Sequence, residues 1–150
     1  PTFNKSKYVI FYDQNYHQRP IVDIAKYESL MKTIFEKINK LNLKIYFKAH
    51  PNTNFVKPEF IPNYVKFIDS YIPSEFTSRT NSIPISITSG AITNSINPNL
   101  VISIVNLIPY KEENFYQNSL RVINSKKYVD NLYLPKSIPE MISLINQQII

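Results

Sequence analysis

Polar residues with chemical potential stand where apolar runs stop. Asp13-Gln14 follow "YVIFY", His50-Pro51 follow "KIYFKA", and Thr88-Ser89-Gly90 follow "SIPISI". Pro73 and Glu75 come shortly after "YVKFID". An imidazole titrates near neutrality and can donate a hydrogen bond to a developing anion or carry a proton. Adjacent hydroxyls beside a glycine can cradle an anion, since glycine lets the backbone approach a ligand closely. Gly90 is the only glycine in the chain, so its place directly after Thr88-Ser89 carries weight. Each feature also has a plainer reading. Ser-Gly after a strand makes a turn with an N-cap, and a histidine before proline can serve a turn. Glu75 in a first helical turn can simply complement the helix dipole, and His17 in a Tyr/Gln-rich loop reads as a surface residue. Convergence on one edge of one sheet is what would favour function.

The elements that must position these groups alternate along the chain. Short β-branched and aromatic runs predict strands over Lys7 to Asp13, Lys44 to Ala49 and Tyr64 to Asp69, with a fourth ending at Thr88. "LVISIVNLI", Leu100 to Ile108, reads as a strand buried on both faces, and "NLYLP" as a last strand. Between them, Ile24, Tyr27, Met31, Ile34, Phe35, Ile38 and Leu41 recur at helical spacing behind Asp23, a suitable N-cap. "IPSEFTSRT" predicts a brief helix with Pro73 in its first turn, and "SGAITNSI" a turn into another. "KEENFYQNSLRVI" predicts a helix, as does the segment capped by Ser137, with Pro139 and Glu140 in its second and third positions. Strands alternating with helices define an α/β domain, a Rossmann-like parallel sheet flanked by helices. Ligands in such sheets lie beyond the carboxyl ends of the strands.

Composition narrows the classes. At 150 residues the chain fits one domain, with 43% hydrophobic and 19% charged residues, as in globular proteins. Cysteine is absent, which excludes disulfides, thiolate metal sites and cysteine nucleophiles. No apolar run reaches a membrane-spanning length and no basic-then-apolar leader opens the chain, so the expected location is cytoplasmic. The net charge of +6 comes mostly from scattered lysines, with only three arginines, so no nucleic-acid partner is expected. A basic face toward an anionic ligand or the inner membrane stays open. A start at Pro1, with only Met31 and Met141, suggests a segment of a longer protein.

The pattern resembles the bacterial sialyltransferases of GT-B fold, of the lipooligosaccharide sialyltransferase and capsule polysialyltransferase type. "YFKAHP" (Tyr46 to Pro51), "IPSE" (Ile72 to Glu75) and "ITSGAI" (Ile87 to Ile92) carry the likeness, in the order and rough spacing of that family's motifs. "VIFYDQNY" is similar to the strand and glutamine loop that open its C-terminal domain. The resemblance implies that residues 1–150 form the donor-binding half of a two-domain glycosyltransferase moving sialic acid from CMP-sialic acid to a cell-surface glycan. It implies that His50 contacts the donor phosphate and assists departure of CMP, that Glu75 holds the ribose hydroxyls, and that Thr88 and Ser89 bind the phosphate. Asp13, Gln14, Lys48, Pro51 and Gly90 complete the implied donor-binding set. No metal cofactor is implied. The family's catalytic base lies in an acidic-acidic-Gly motif of the other domain, and no such motif occurs here. The acceptor site and base are therefore expected elsewhere, and the isolated chain is expected to be inactive. Two alternatives remain: a related GT-B transferase using a UDP-sugar or CDP-polyol, and a non-catalytic α/β binding module.

Overall fold

A computed structural model describes residues 8–16, 19–50, 57–68, 82–89, 100–125 and 131–149. Six strands form one sheet: β1 (Tyr8–Tyr12), β2 (Lys44–Lys48), β3 (Val65–Ile68), β4 (Ser82–Ser86), β5 (Val101–Ser103) and β6 (Leu132–Tyr133). Their order is β3-β2-β1-β4-β5-β6, and every pairing is parallel. Three α-helices flank the sheet among the described residues: α1 (Ile24–Asn39), α2 (Glu113–Asn124) and α3 (Ile138–Asn146). The fold is Rossmann-like. The chain runs outward from β1 through β2 to β3, then restarts on the other side of β1 with β4, which makes the β1–β4 junction the switch point of the sheet.

Local sequence explains each boundary near the site. Register aligns Phe11 with Phe47 and Phe47 with Phe67, and the three rings stack at 5.6 and 6.0 Å between centroids. Phe35 of α1 meets Phe11 and Phe47 edge-on, so this face of the sheet is the one α1 covers. Asp23 caps α1 by accepting the Lys26 N–H at 3.1 Å, and Tyr27, Met31, Ile34, Phe35 and Ile38 form its buried stripe. Ile24 and Leu41, also on the predicted stripe, stay partly or largely exposed at its ends. Asn42, at φ 60°, turns the chain from α1 into β2, a conformation asparagine tolerates. Ser137 caps α3 as expected, while the Glu140 carboxylate accepts from Lys136 N–H, one residue before the cap.

Two predicted strands are shorter than their apolar runs. β4 stops at Ser86, with Ile87 and Thr88 in a bend, and β5 ends at Ser103, with Val105–Leu107 forming a 3-10 turn. Ser103 is the cause: its hydroxyl donates across to the Ile87 carbonyl and accepts the Val105 N–H two residues on at 3.3 Å, the second bond offering the backbone a local alternative to the ladder. The apolar pattern reported burial correctly, since Leu100 through Val105 are all buried, but not where pairing stops. The helices predicted after Pro73 and after Gly90 lie outside the described residues. None of the helices among the described residues is long and apolar enough to cross a membrane.

Candidate functional site

At the carboxyl end of β1 the chain makes a tight departure. Asp13 N–H still donates to the Lys48 carbonyl at 3.0 Å, so β1 and β2 remain paired to their tips. Asp13 Oδ1 then accepts the Asn15 N–H at 3.0 Å, an Asx turn, and Asn15 adopts φ 58°. The turn leaves Gln14 to reach across the switch point. Its Oε1 accepts the Thr88 N–H at 2.7 Å, and its Nε2 donates to Thr88 Oγ1 at 3.0 Å. Ser86, buried in β4, shares its hydroxyl proton between the Tyr12 carbonyl at 3.0 Å and Gln14 Oε1 at 3.2 Å. One carboxamide thus ties the end of β1 to the end of β4.

The β1–β2 side of the same edge is charged. Asp13 is only 3% exposed, and its Oδ2 has no hydrogen-bond partner among the described residues. Burial pushes its pKa up to about 6, opposed by the N–H groups of Asn15 and Gln14 and by the Arg19 charge. Asp13 continues the Phe11 face and stands near Tyr27 of α1, whose phenol is raised well above its ordinary value by burial and by the Asp13 and Tyr16 groups beside it. Lys48 is 5% exposed, and its Nζ reaches the Ala49 carbonyl at 3.4 Å. His50 is held below the usual histidine range by burial first, then by the charges of Arg19 and Lys48. It is therefore a neutral imidazole at pH 7, able to donate one N–H or to accept a proton.

The structure brings Asp13, Gln14, Lys48, His50, Thr88 and Ser89 to the carboxyl ends of three adjacent strands, β2, β1 and β4. Pro51, Glu75, Gly90 and His17 lie outside the described residues. Of the adjacent hydroxyls expected to cradle an anion, Thr88 has its N–H engaged by Gln14, which leaves the hydroxyl as its contribution. Two participants were not singled out from sequence. Ser86 is one, and a serine set between Ile85 and Ile87 was its signal, because a buried hydroxyl needs a partner. Arg19 is the other: it lies 5.2 Å from the Tyr16 ring centroid and acts on both Asp13 and His50. Its signal was its rarity among so many lysines.

Chemically, the edge offers hydroxyl donors at β4 and an electropositive corner at β2, both suited to an oxyanion. No group of three or more His, Asp or Glu with metal-holding geometry occurs among the described residues. Strand order and polar strand ends together define a Rossmann-like α/β domain with a polar, clasped switch point. Comparisons with protein-family models, curated proteins and solved structures give no match for the chain.

Proposed function

We propose that this chain is the donor-nucleotide-binding half of a GT-B glycosyltransferase, one that transfers sialic acid from CMP-sialic acid to a cell-surface glycan. The observation that supports the reading is the Gln14 clasp, which holds Thr88, next to Ser89, at the switch point on the same sheet edge as His50 at the end of β2. The donor phosphate sits over the β4 hydroxyls, with the neutral His50 imidazole at its side. As the bond from the sugar's anomeric carbon to the phosphate oxygen breaks, negative charge grows on CMP. Hydrogen bonds from His50 and Ser89 strengthen with that charge, so they stabilise the transition state more than the bound donor. The acceptor hydroxyl forms the new bond, and its proton passes to a base supplied by the other domain. Glu75, by its place in the resemblance, accepts from the ribose hydroxyls.

Thermal shift with CMP, CDP, UMP, UDP and a short oligonucleotide tests this. Binding to the folded state alone stabilises it by mass action, so CMP at about ten times its Kd should add ~1.4 kcal/mol, or roughly 3–6 °C in Tm. EDTA should leave that shift unchanged. Preference for UDP or CDP, or strict dependence on magnesium, would instead select a related transferase with another donor. A response to the oligonucleotide alone would select a binding module.

A further inference from the structure

We infer that Gln14 sets the hydrogen-bond polarity of Thr88, turning the Thr88 hydroxyl into a donor at the switch point that selects an oxyanion ligand. The inference rests on the reading that a ligand occupies this edge, and it adds the residue that specifies what that ligand presents.

The argument is one of proton ownership. A backbone N–H can only donate, so the Gln14 atom 2.7 Å from the Thr88 nitrogen must be the carbonyl oxygen. The Ser86 hydroxyl, 3.2 Å from the same atom, is compatible because it carries a proton. With the carbonyl so fixed, the amide –NH₂ faces Thr88 Oγ1 at 3.0 Å and must donate to it. A hydroxyl that accepts from an amide keeps its own proton for another partner, and none of the described residues accepts it. Thr88 is only partly buried, so that proton is within reach of a ligand. The charges of Lys48 and Arg19 act on His50 at the end of β2, on the far side of β1 from Thr88, and favour an anion along this edge. Glutamine is the side chain this needs. A carboxylate at position 14 would still take the Thr88 N–H, but its second oxygen would also demand a proton, and the Thr88 hydroxyl would turn inward.

A double-mutant cycle tests this: wild type, Gln14→Glu, Thr88→Val and the double variant, each titrated with inorganic phosphate and with CMP by NMR or calorimetry. Melting curves monitor folding, and Thr88→Ser serves as the variant that keeps the hydroxyl. Gln14→Glu and Thr88→Val should each weaken phosphate binding by roughly ten- to a hundredfold, the range for a lost hydrogen bond to a charged group. The double variant should lose little more than either single one, because both changes remove the same donated proton. Thr88→Ser should bind nearly as well as wild type. Acidification that neutralises the introduced carboxylate should restore the Gln14→Glu variant toward wild type at the same pH, since a carboxylic acid can again donate to Thr88. Additive losses, or normal binding by Thr88→Val, overturn the inference while leaving the nucleotide reading intact. Phosphate binding that follows the cycle without any CMP binding sinks the nucleotide reading instead. Failure of wild type to bind either probe overturns both.

Discussion

The two sides of β1 end differently. Toward β4, Gln14, Ser86 and Thr88 form a linked set in which one carboxamide accepts two protons and donates one. Toward β2, Asp13 keeps an orphaned oxygen in a buried position, and His50 is depressed by burial and by the neighbouring cations. The first side satisfies the Gln14 carbonyl, the Ser86 hydroxyl and the Thr88 N–H and leaves only the Thr88 hydroxyl proton without an acceptor among the described residues, so it fixes geometry and responds little to pH. The second holds charges that folding does not favour, so it stores an electrostatic imbalance that a ligand can relieve. Satisfied networks rigidify, whereas unpaired buried groups are retained mainly where chemistry uses them.

The largest expected effect lies on the charged side. On the proposed transferase reading, His50→Ala in the full-length protein should lower turnover by ~10²–10³, the usual result of removing a preorganised donor to developing charge. Folding should survive, because His50 is only partly buried and lies beyond the last residue of β2. Near-normal turnover with a much lower Tm would make the histidine a turn residue and erase the functional contrast between the two sides.

Next in size is Asp13. Its carboxyl has an ordinary value of 3.8 and a folded value of about 6. Between those values the folded state binds more protons than the unfolded one, so stability falls as pH rises through this window. Above about pH 6 the full penalty applies, on the order of 3 kcal/mol from two pKa units. Asp13→Asn keeps an oxygen for the Asn15 N–H and removes the titration. Wild type should therefore lose stability relative to the variant between about pH 4 and 6, read from urea midpoints across pH. Parallel curves would mean that Asp13 is ionised comfortably, and the supposed imbalance would vanish. The Gln14–Thr88 side carries no such titration, so Thr88→Val should show wild-type pH dependence.

Much of this is legible in the amino-acid sequence. The alternation of elements, the Asp23 and Ser137 caps and the placing of polar residues at strand tips follow from periodicity and capping rules that act locally. The partnership of Gln14 with Thr88 did not, because the two are 74 positions apart and only the strand order makes them neighbours. Pro84 was a local signal that misleads: proline usually marks an edge strand, yet here it sits in β4, between β1 and β5, paired with Ile10. Ser103 shows the converse. It looked like one more residue of an apolar run, but its hydroxyl, bonded across to the Ile87 carbonyl and locally to the Val105 N–H, marks where the strand ends. Short polar side chains in buried runs are where pattern reading gives out, because their effect depends on which carbonyl lies within reach.

Ser86→Ala is the smallest effect and the sharpest probe of the satisfied side. The hydroxyl is fully buried, so its loss removes a hydrogen bond worth about 0.5–1.5 kcal/mol. Gln14 Oε1 keeps the Thr88 N–H, and no charge is stranded, which puts the cost at the low end and the fall in Tm at roughly 1–2 °C. The Thr88 N–H alone still dictates which way the amide faces, so the Thr88 hydroxyl remains a donor and phosphate affinity should stay within about twofold of wild type, under about 0.5 kcal/mol. That separates two roles that the hydrogen bonds alone leave merged: Ser86 steadies the clasp, whereas Gln14 sets its polarity. Should Ser86→Ala weaken phosphate binding as much as Gln14→Glu does, the amide needs both partners to hold its orientation, and polarity belongs to the whole set.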